Sequence, residues 1–149
     1  MPLKGIPDSI TPELLYALAR MGHGDALVIA DANFPSDSIA SCTPYSNTPI
    51  RIQGKSTAEL LKDILTLFPL DQYADHSISV MDRVPSDKAK GLEVPAYSSL
   101  ANVAGLAAPT EMKFIERFEF YETAKRAFVV VQTDDRTLYA NCIITKGVL

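Results

Sequence analysis

The stretch Ala26-Leu27-Val28-Ile29-Ala30 is a run of five apolar residues, and Asp31 follows it directly. A continuous apolar run of this length is typical of a strand that is covered on both faces, as in the sheets of α/β proteins. Ligands of such sheets bind beyond the carboxyl ends of the strands. The sequence therefore predicts a buried strand at 26–30, with Asp31 placed to accept hydrogen bonds from a ligand. The alternative for Asp31 is an Asx-type turn.

Two helix signals lie on either side of this strand. Before it, Thr11 is placed to cap a helix that begins at Pro12, because threonine accepts backbone hydrogen bonds and proline suits the first helical turn. We expect this helix to end at Gly22 in a left-handed conformation. Further along, Ser56-Thr57-Ala58-Glu59 is a capping box, which predicts a helix that Pro69 stops.

The rest of the chain alternates between apolar and turn-forming segments. The predicted elements are a strand at 77–84, a helix at 97–106, a strand at 113–117, a helix at 118–126, a strand at 127–131 and a last strand at 138–145. Segments 32–49 and 85–95 are predicted loops, and Asp134-Asp135-Arg136 predicts a hairpin turn between the last two strands. With no internal repeat and no linker, the pattern predicts an α/β fold with one domain over residues 1–149 and a mixed sheet covered by helices.

The charge balance argues against several classes of partner. The formal net charge is −4, from 14 Lys and Arg against 18 Asp and Glu, and the charges are scattered. An acidic chain without a basic cluster is unsuited to a nucleic-acid backbone. No apolar run approaches the ~20 residues that cross a bilayer, and the first residues lack the apolar core of a secretory signal. We therefore expect a soluble cytoplasmic protein that binds neither nucleic acid nor membrane.

The sequence offers little for metal or phosphate binding. The two histidines, His23 and His76, are far apart, and no HxxxH or CxxC spacing occurs. Gly54-Lys55-Ser56 resembles the end of a phosphate-binding P-loop, but Pro49 stands where the first glycine belongs. We therefore predict no metal site and no nucleotide site.

His23 is the main candidate for proton transfer, and it lies between Gly22 and Gly24 at the exit of the first helix. Histidine titrates near neutral pH, so its imidazole can donate or accept a proton in catalysis. The alternative is a structural histidine that bonds the last carbonyls of the helix. Asp25 could orient the imidazole or serve as a turn residue.

Tyr139 and Asn141 stand two residues apart in the predicted last strand, so we expect their side chains on one face. A phenol and an amide supply donors and acceptors suited to hydroxyl groups, although strand tyrosines are often packing residues. Together with His23 and Asp31, they indicate proton transfer on a small polyhydroxylated ligand such as a sugar.

Several long motifs support a more specific interpretation. They lie at residues 9–15, 21–25, 31–35, 69–71, 116–122, 139–141 and 146–149. On these motifs the sequence resembles the fucose mutarotase/ribose pyranase family almost end to end, and most closely its fucose mutarotase branch. One segment departs from the family pattern: Arg51-Ile52-Gln53-Gly54 stands where relatives read Arg-Ala-Asp-Gly.

The resemblance implies a ribose pyranase-like three-layer fold and an enzyme that interconverts the α and β anomers of L-fucose without a cofactor or metal. By position, His23 matches the proton donor of the family and Tyr121 matches a second catalytic group. The implied substrate-binding residues are Asp31, Asp71, Arg117, Tyr139 and Asn141. The resemblance also implies a homo-oligomer, a ring or a pair of rings, with sites near subunit contacts.

One mechanistic hypothesis and two rivals follow. Mutarotation opens the pyranose ring and recloses it on the other face, so we expect His23 to protonate the ring oxygen while Tyr121 takes the proton of the anomeric hydroxyl. A rival is a non-catalytic monosaccharide-binding module, which would keep Asp31, Tyr139 and Asn141 but would need no titratable His23. The other rival is a purely structural ring component, which predicts no sugar binding.

Overall fold

Strand β1 (Ala26–Ala30) occupies an inner position of a six-stranded sheet in the computed structural model, which describes residues 3–44 and 47–149. The other strands are β2 (Ile50–Ile52), β3 (Ile78–Met81), β4 (Lys113–Ile115), β5 (Val129–Thr133) and β6 (Cys142–Thr145). The helices are α1 (Pro12–Arg20), α2 (Ser36–Ala40), α3 (Thr57–Leu65), α4 (Pro85–Ala89), α5 (Pro95–Val103) and α6 (Arg117–Ala124), with a 3-10 turn at Pro109–Glu111.

The strand order is β2-β5-β1-β6-β3-β4. Strand β6 runs antiparallel to its neighbours β1 and β3, and the other neighbouring pairs are parallel. Five strands therefore finish at the same end of the sheet, where β6 begins. We call this the carboxyl end of the sheet, and we call the opposite end, where β1 begins and β6 finishes, the amino end.

Helices cover both faces of the sheet. On one face, α1, α3 and α5 pack over the sheet, so that Leu14 and Leu61 share a core cluster with Leu27 of β1. On the other face, α2 and α6 pack over the sheet, and Phe120 shares a cluster with Val28. Because successive strand residues point to opposite faces, the continuous apolar run of β1 serves both layers. The predicted α/β class, with a mixed sheet between two helical layers, is confirmed.

The strongest local signals of the sequence are confirmed residue by residue. Strand β1 has the predicted bounds. The Thr11 hydroxyl accepts a hydrogen bond from the Leu14 backbone N–H (3.2 Å), which caps α1. At α3, the Ser56 hydroxyl accepts from the Glu59 backbone N–H (3.2 Å), and the Ser56 N–H donates to the Glu59 carboxylate (2.7 Å).

The predicted left-handed cap at Gly22 is wrong. Helix α1 finishes at Arg20, and Met21 is its C-cap in an extended conformation (φ −68°, ψ 138°). The carbonyls near this helix end are satisfied instead by a distant side chain, because the Lys146 ammonium donates to the Leu18 and Met21 oxygens (3.0 and 2.6 Å). The left-handed residue is Gly24 (φ 87°), one position beyond His23.

The predicted hairpin between the last two strands is also wrong. Strand β6 begins at Cys142, four residues later than predicted, and β1 lies between it and β5. The segment after β5 bonds to the loop after β1 and to the start of α3, since the Asp135 carbonyl accepts from the Ala32 N–H (2.7 Å) and its carboxylate accepts from the Thr57 N–H (3.0 Å). Strand β1 pairs with β5 on one side and with β6 on the other, so its backbone groups have partners along both edges.

Both predicted loops contain short elements. Segment 32–49 contains α2 and segment 85–95 contains α4; each has five residues, too few for a periodicity to show. The three-residue strand β2 had no predicted counterpart for the same reason. Strand β3 is shorter than the predicted 77–84, and the other predicted elements are present with shifted bounds. Residues 45 and 46 of the first predicted loop lie outside the described part of the chain.

Candidate active site

The Asp31 carboxylate lies at the carboxyl end of the sheet, where β1 finishes beside the start of β6. Its residue is only 3% exposed. One carboxylate oxygen accepts from the Asn33 N–H (2.9 Å), which is the Asx turn considered as the alternative role, and the other accepts from the Asn141 side-chain amide (3.1 Å). The Asn141 carbonyl oxygen in turn accepts from the Asp31 backbone N–H (2.8 Å). The aspartate therefore acts as a turn residue and still presents a carboxylate to the space beyond β1.

Burial sets the electrostatics of Asp31. Desolvation raises the pKa of its carboxyl group, and this effect outweighs the hydrogen bonds from Asn33, Phe34 and Asn141 that favour the charged form. The site therefore holds an acidic group that takes a proton more readily than an exposed aspartate. A bound hydroxyl that donates to this carboxylate would compensate part of the lost hydration.

Tyr139 reaches the same region from a turn and not from a strand. Its backbone has φ 60°, and Leu138–Tyr139 form a turn before β6, so the prediction of a shared strand face with Asn141 is wrong. A bulky residue in the left-handed region costs about 1–3 kcal/mol, and such strain is retained where surrounding contacts hold it. The Tyr139 hydroxyl donates to the Asp87 carboxylate (2.5 Å) and accepts from the Val84 N–H (3.1 Å). Burial, followed by the Asp87 hydrogen bond, raises the pKa of this phenol.

Helix α6 supplies a second phenol. Glu116 caps the helix, and its carboxylate accepts from the Phe118 and Glu119 N–H groups (2.9 and 3.1 Å). Arg117 and Tyr121 are four residues apart, so they share one face of the helix. The Arg117 Nε–H donates to the Tyr121 hydroxyl (3.1 Å), and the guanidinium lies 5.6 Å from the Tyr121 ring centroid. The guanidinium therefore holds the Tyr121 hydroxyl in place, and this hydrogen bond raises the pKa of Arg117.

These side chains line one cavity of about 330 Å³, which we call the carboxyl-end cavity. Five of the seven predicted site residues belong to it. Its lining consists of Asp31, Asn33, Phe34, Met81, Val84, Asp87, Arg117, Tyr121, Leu138, Tyr139 and Asn141. A larger groove of about 450 Å³ lies between α1 and β2, but none of the predicted site residues lines it. Convergent polar groups and not volume identify a site for a small hydroxylated ligand, so we take the carboxyl-end cavity as the candidate site.

The other two predicted residues, His23 and Asp71, lie at the amino end of the sheet. The His23 Nε2 atom is 3.1 Å from an Asp71 carboxylate oxygen, which also accepts from the Tyr73 backbone N–H (3.0 Å). The Tyr73 hydrogen bond is the chief reason that the pKa of Asp71 is lowered, and His23 adds to it. The His23 side chain is 46% exposed, with the Tyr73 ring centroid 5.8 Å from its own. We call this group, His23, Asp71 and Tyr73, the His23 cluster.

Two roles were considered for Asp25, and the structure supports that of a turn residue. Its carboxylate accepts from the Gly22 N–H (2.7 Å), while the carboxylate beside the imidazole belongs to Asp71. The pairing of His23 with Asp71 spans 48 residues, so no local spacing could have indicated it.

The His23 cluster and the carboxyl-end cavity cannot meet within one chain. His23 precedes β1 and Asp31 follows it, and β1 alone separates its two ends by about 13 Å at ~3.3 Å per residue. A monosaccharide bound in the carboxyl-end cavity is therefore out of reach of the imidazole of the same chain.

The predicted site residues do not include two polar residues of the cavity, Asn33 and Asp87. Asp87 lies on α4, inside a predicted loop, and nothing in the local pattern distinguishes it from other charged loop residues. Over residues 3–44 and 47–149, no three His, Cys, Asp or Glu side chains converge as a metal ion would require. The same ranges contain no helix that is long and apolar enough to cross a membrane.

A mixed α/β sheet with a polar cavity at the carboxyl ends of its parallel strands is the framework of a protein that binds a small polar ligand. Comparison with known proteins defines the class further. Residues 4–149 match the RbsD / FucU transport protein family, and the chain belongs to this family. The resemblance predicted from the sequence motifs is thereby confirmed.

Individual relatives align over almost the whole chain. The sequence is 57% identical over 150 residues to the fucose mutarotase of Danio rerio, and the alignment covers 99% of this chain and 94% of the relative. Among solved structures, FucU from Bifidobacterium longum is similar, with a TM-score of 0.87 and 42% identity over 98% of this chain and 99% of that one. The fucose mutarotase of Streptococcus pneumoniae, solved in complex with L-fucose, has a TM-score of 0.82 and 41% identity over 99% of both chains.

Proposed function

We propose that this protein is an L-fucose mutarotase, which interconverts the α and β anomers of L-fucose by acid–base catalysed opening and closing of the pyranose ring. The observation that carries the proposal is the carboxyl-end cavity, where a buried carboxylate, an amide, a guanidinium and two phenols converge at the carboxyl ends of the strands. These groups bind hydroxyls and move protons. The mutarotases of Danio rerio and Streptococcus pneumoniae described above support the choice of reaction and sugar.

The reaction needs two proton transfers and no covalent intermediate with the enzyme. In ring opening, a base takes the proton of the anomeric hydroxyl, the C1–O5 bond breaks as the aldehyde forms, and an acid gives a proton to O5. The C1 carbonyl then turns, and the reverse transfers close the ring on its other face. General acid–base catalysis of this kind contributes about 10²–10⁴-fold, which suits a reaction that also proceeds slowly in water.

We assign the two transfers to Tyr121 and His23. Tyr121 exchanges the proton of the anomeric hydroxyl, because its hydroxyl lines the cavity and the Arg117 guanidinium holds it there by a hydrogen bond. His23 exchanges the proton of the ring oxygen. The remaining cavity residues, Asp31, Arg117, Tyr139 and Asn141, hold the other hydroxyls of the sugar. Asp71 belongs with His23, where its carboxylate orients the imidazole, and we assign to it the binding of a further sugar hydroxyl.

This assignment requires a second copy of the chain, so we propose a homo-oligomer in which His23 of one copy reaches the carboxyl-end cavity of another. Exposed apolar side chains at both locations support it: Tyr73 beside His23, and Phe118 and Leu138 around the cavity. Apolar groups that a single chain leaves in water near two functional clusters are typical of an interface. We propose that the two surfaces meet head to tail, and a head-to-tail contact that closes gives a ring.

The proposal treats residues 1–149 as one sugar mutarotase domain that works in the cytoplasm. The family match supports a single domain over these residues, since one family model spans residues 4–149. Fractionation of the cells that produce the protein tests the location.

The test is saturation-transfer NMR on an equilibrated L-fucose sample. We expect the protein to increase magnetisation transfer between the two anomeric protons, and we expect His23→Ala to reduce the exchange rate about 10²-fold or more. A protein that binds L-fucose without accelerating exchange would be the monosaccharide-binding module. A protein that neither binds nor exchanges the sugar would leave the structural ring component as the remaining interpretation.

A further inference from the structure

Asp87 is a polar residue of the carboxyl-end cavity to which the mechanism above gives no role. It lies on α4, and its side chain is 23% exposed. One carboxylate oxygen accepts the Tyr139 hydroxyl hydrogen at 2.5 Å, and the other lies 3.9 Å from the exposed Lys90 ammonium. The short contact is with the phenol, so the geometry links Asp87 to Tyr139 more closely than to Lys90.

The hydrogen bonds of Tyr139 determine what its hydroxyl can offer to a ligand. A phenol has one hydrogen to donate and can accept hydrogen bonds through its oxygen lone pairs. The hydrogen is used on Asp87, and the oxygen accepts from the Val84 N–H (3.1 Å). The remaining capacity of the oxygen is to accept, so a sugar hydroxyl that binds Tyr139 must donate to it.

Tyr121, the other phenol of the cavity, has the opposite arrangement. Its oxygen accepts from the Arg117 Nε–H (3.1 Å), and its hydroxyl hydrogen has no acceptor within the part of the chain that the structure describes. Tyr121 can therefore donate a proton, as ring closure requires, whereas Tyr139 is held as an acceptor. The cavity thus contains one phenol that can donate to a ligand, Tyr121, and one that can only accept, Tyr139. A charged neighbour fixes each of them: Arg117 for Tyr121 and Asp87 for Tyr139.

The backbone explains why Tyr139 needs such a partner. Its left-handed conformation (φ 60°) is strained for a residue with a large side chain, so contacts at the tip of the ring must hold the turn in place. Both contacts, from Asp87 and from Val84, come from the segment around α4. This five-residue helix buries none of its residues, so packing in the core gives no reason for its position beside the cavity.

We propose that Asp87 is a positioning residue that fixes the Tyr139 hydroxyl as a hydrogen-bond acceptor for one hydroxyl group of the bound sugar. The proposal rests on the proposed mutarotase function for the identity of the ligand. It predicts that Asp87 acts on sugar binding through Tyr139, and that the proton-transfer step itself is largely unaffected.

A double-mutant cycle on the full-length protein tests this directly. The variants are Asp87→Ala, Tyr139→Phe and the double variant, with Asp87→Asn as a conservative change and Lys90→Ala as the matched control. We expect Asp87→Ala and Tyr139→Phe each to raise the KM for L-fucose about 10-fold with kcat within about 2-fold, and the double variant to be no worse than Tyr139→Phe alone. Asp87→Asn keeps an acceptor and should recover part of the loss, and Lys90→Ala should match the unsubstituted protein.

A second readout does not depend on catalysis. With tyrosine labelled at ¹³Cζ, the Tyr139 signal is assigned from Tyr139→Phe and titrated with pH in each variant. Because the Asp87 carboxylate disfavours the phenolate, Asp87→Ala and Asp87→Asn should both lower the pKa of Tyr139, and Lys90→Ala should not lower it. Thermal unfolding followed by circular dichroism establishes that each variant is folded, and Asp87→Asn carries the test if Asp87→Ala does not fold.

Two results would overturn the proposal. One is that the effects of Asp87→Ala and Tyr139→Phe on KM multiply in the double variant, which would mean that Asp87 acts independently of the phenol. The other is an unchanged Tyr139 titration in Asp87→Asn. If the unsubstituted protein shows no anomer exchange, the proposed function fails, while the cycle run on L-fucose dissociation constants and the titration still decide the role of Asp87.

Discussion

The Asp31 carboxylate illustrates how one side chain can serve both the fold and the site. It bonds the Asn33 N–H and the Asn141 amide, which hold the turn after β1 against the start of β6. The carboxylate also lines the carboxyl-end cavity, where it can accept a hydrogen bond from a sugar hydroxyl. The cost of this arrangement is a buried charge, which is why its pKa is raised.

Replacement of Asp31 by asparagine should change how stability depends on pH. Since the folded protein holds the Asp31 proton more tightly than the unfolded chain, the stability that the carboxyl group contributes is fully present below its unfolded pKa and declines as pH rises through its folded pKa. The free energy of unfolding of the unsubstituted protein, minus that of Asp31→Asn, should therefore fall as pH rises from below the unfolded pKa of about 3.9 through the raised folded pKa. Urea unfolding at a series of pH values measures this difference, and a difference that rises with pH would contradict the assignment.

Tyr121→Phe isolates the proposed proton transfer, because only the hydroxyl is removed and the ring can still pack against Phe34, 5.5 Å away between centroids. We expect kcat for anomer exchange to fall about 10²–10⁴-fold with a small change in KM. The matched control is Tyr16→Phe, which removes an exposed hydroxyl on α1, outside the cavity. Equal rates for the two variants in saturation-transfer NMR would remove Tyr121 from the mechanism.

The sequence identified some residues of the site and missed others. Asp31 could be found because it follows an apolar run whose burial was evident. Tyr139 and Asn141 do line the cavity, but through a strained turn and not the predicted strand face, since β6 begins only at Cys142. Asp87 could not be found, because its importance comes from a contact with a residue 52 positions away.

Among the elements, the end of β6 and the residues after it bond to the backbone at the amino end of the sheet. The Thr145 carbonyl accepts from the Asp71 N–H (2.9 Å), the Lys146 carbonyl accepts from the Gly24 N–H (2.9 Å), and the Gly147 N–H donates to the Pro69 carbonyl (2.8 Å). One extended segment thus fixes the backbone on both sides of the His23 cluster.

Gly147→Ala should be strongly destabilising for this reason. A Cβ at position 147 would lie 2.4 Å from the Leu70 carbonyl oxygen and 2.9 Å from the Asp71 Cα, and both are backbone atoms that cannot rotate away. We expect a loss of about 1–3 kcal/mol in the free energy of unfolding, as for other overpacked sites. Gly22→Ala is the control, because its Cβ would meet nothing closer than 3.8 Å. Chemical denaturation measures both, and similar stabilities for the two variants would show that the close approach is not required.

The elements that the sequence predicted well are those with signals inside a short window. The capping box of α3 and the apolar run of β1 are of this kind, and both are confirmed. The short elements α2, α4 and β2 carry no such signal, since three to five residues cannot display a period. The position of β6 between β1 and β3 depends on pairing among distant strands, which local patterns do not encode.

At the scale of the whole molecule, the sheet separates the two groups that the mechanism needs. The carboxyl-end cavity and the His23 cluster lie beyond opposite ends of β1, and each is accompanied by exposed apolar side chains. The predicted strand at 26–30 already separates His23 from Asp31, but the sequence could not show that Asp71 joins His23 and that Tyr121 joins Asp31, because both groupings depend on contacts between distant segments. Light scattering should therefore find an oligomer, and a monomer at working concentrations would contradict the proposed site.

The most direct test of the account combines two variants that should each be inactive. His23→Ala retains the cavity, Tyr121→Phe retains the imidazole, and equal amounts are dissociated in mild denaturant and reassembled together. If the site is shared between copies, random assembly restores complete sites where an intact His23 meets an intact Tyr121, so the mixture should recover about one quarter of the unsubstituted exchange rate in saturation-transfer NMR with L-fucose. A mixture that forms mixed oligomers by mass spectrometry but stays as inactive as either variant alone would contradict the account.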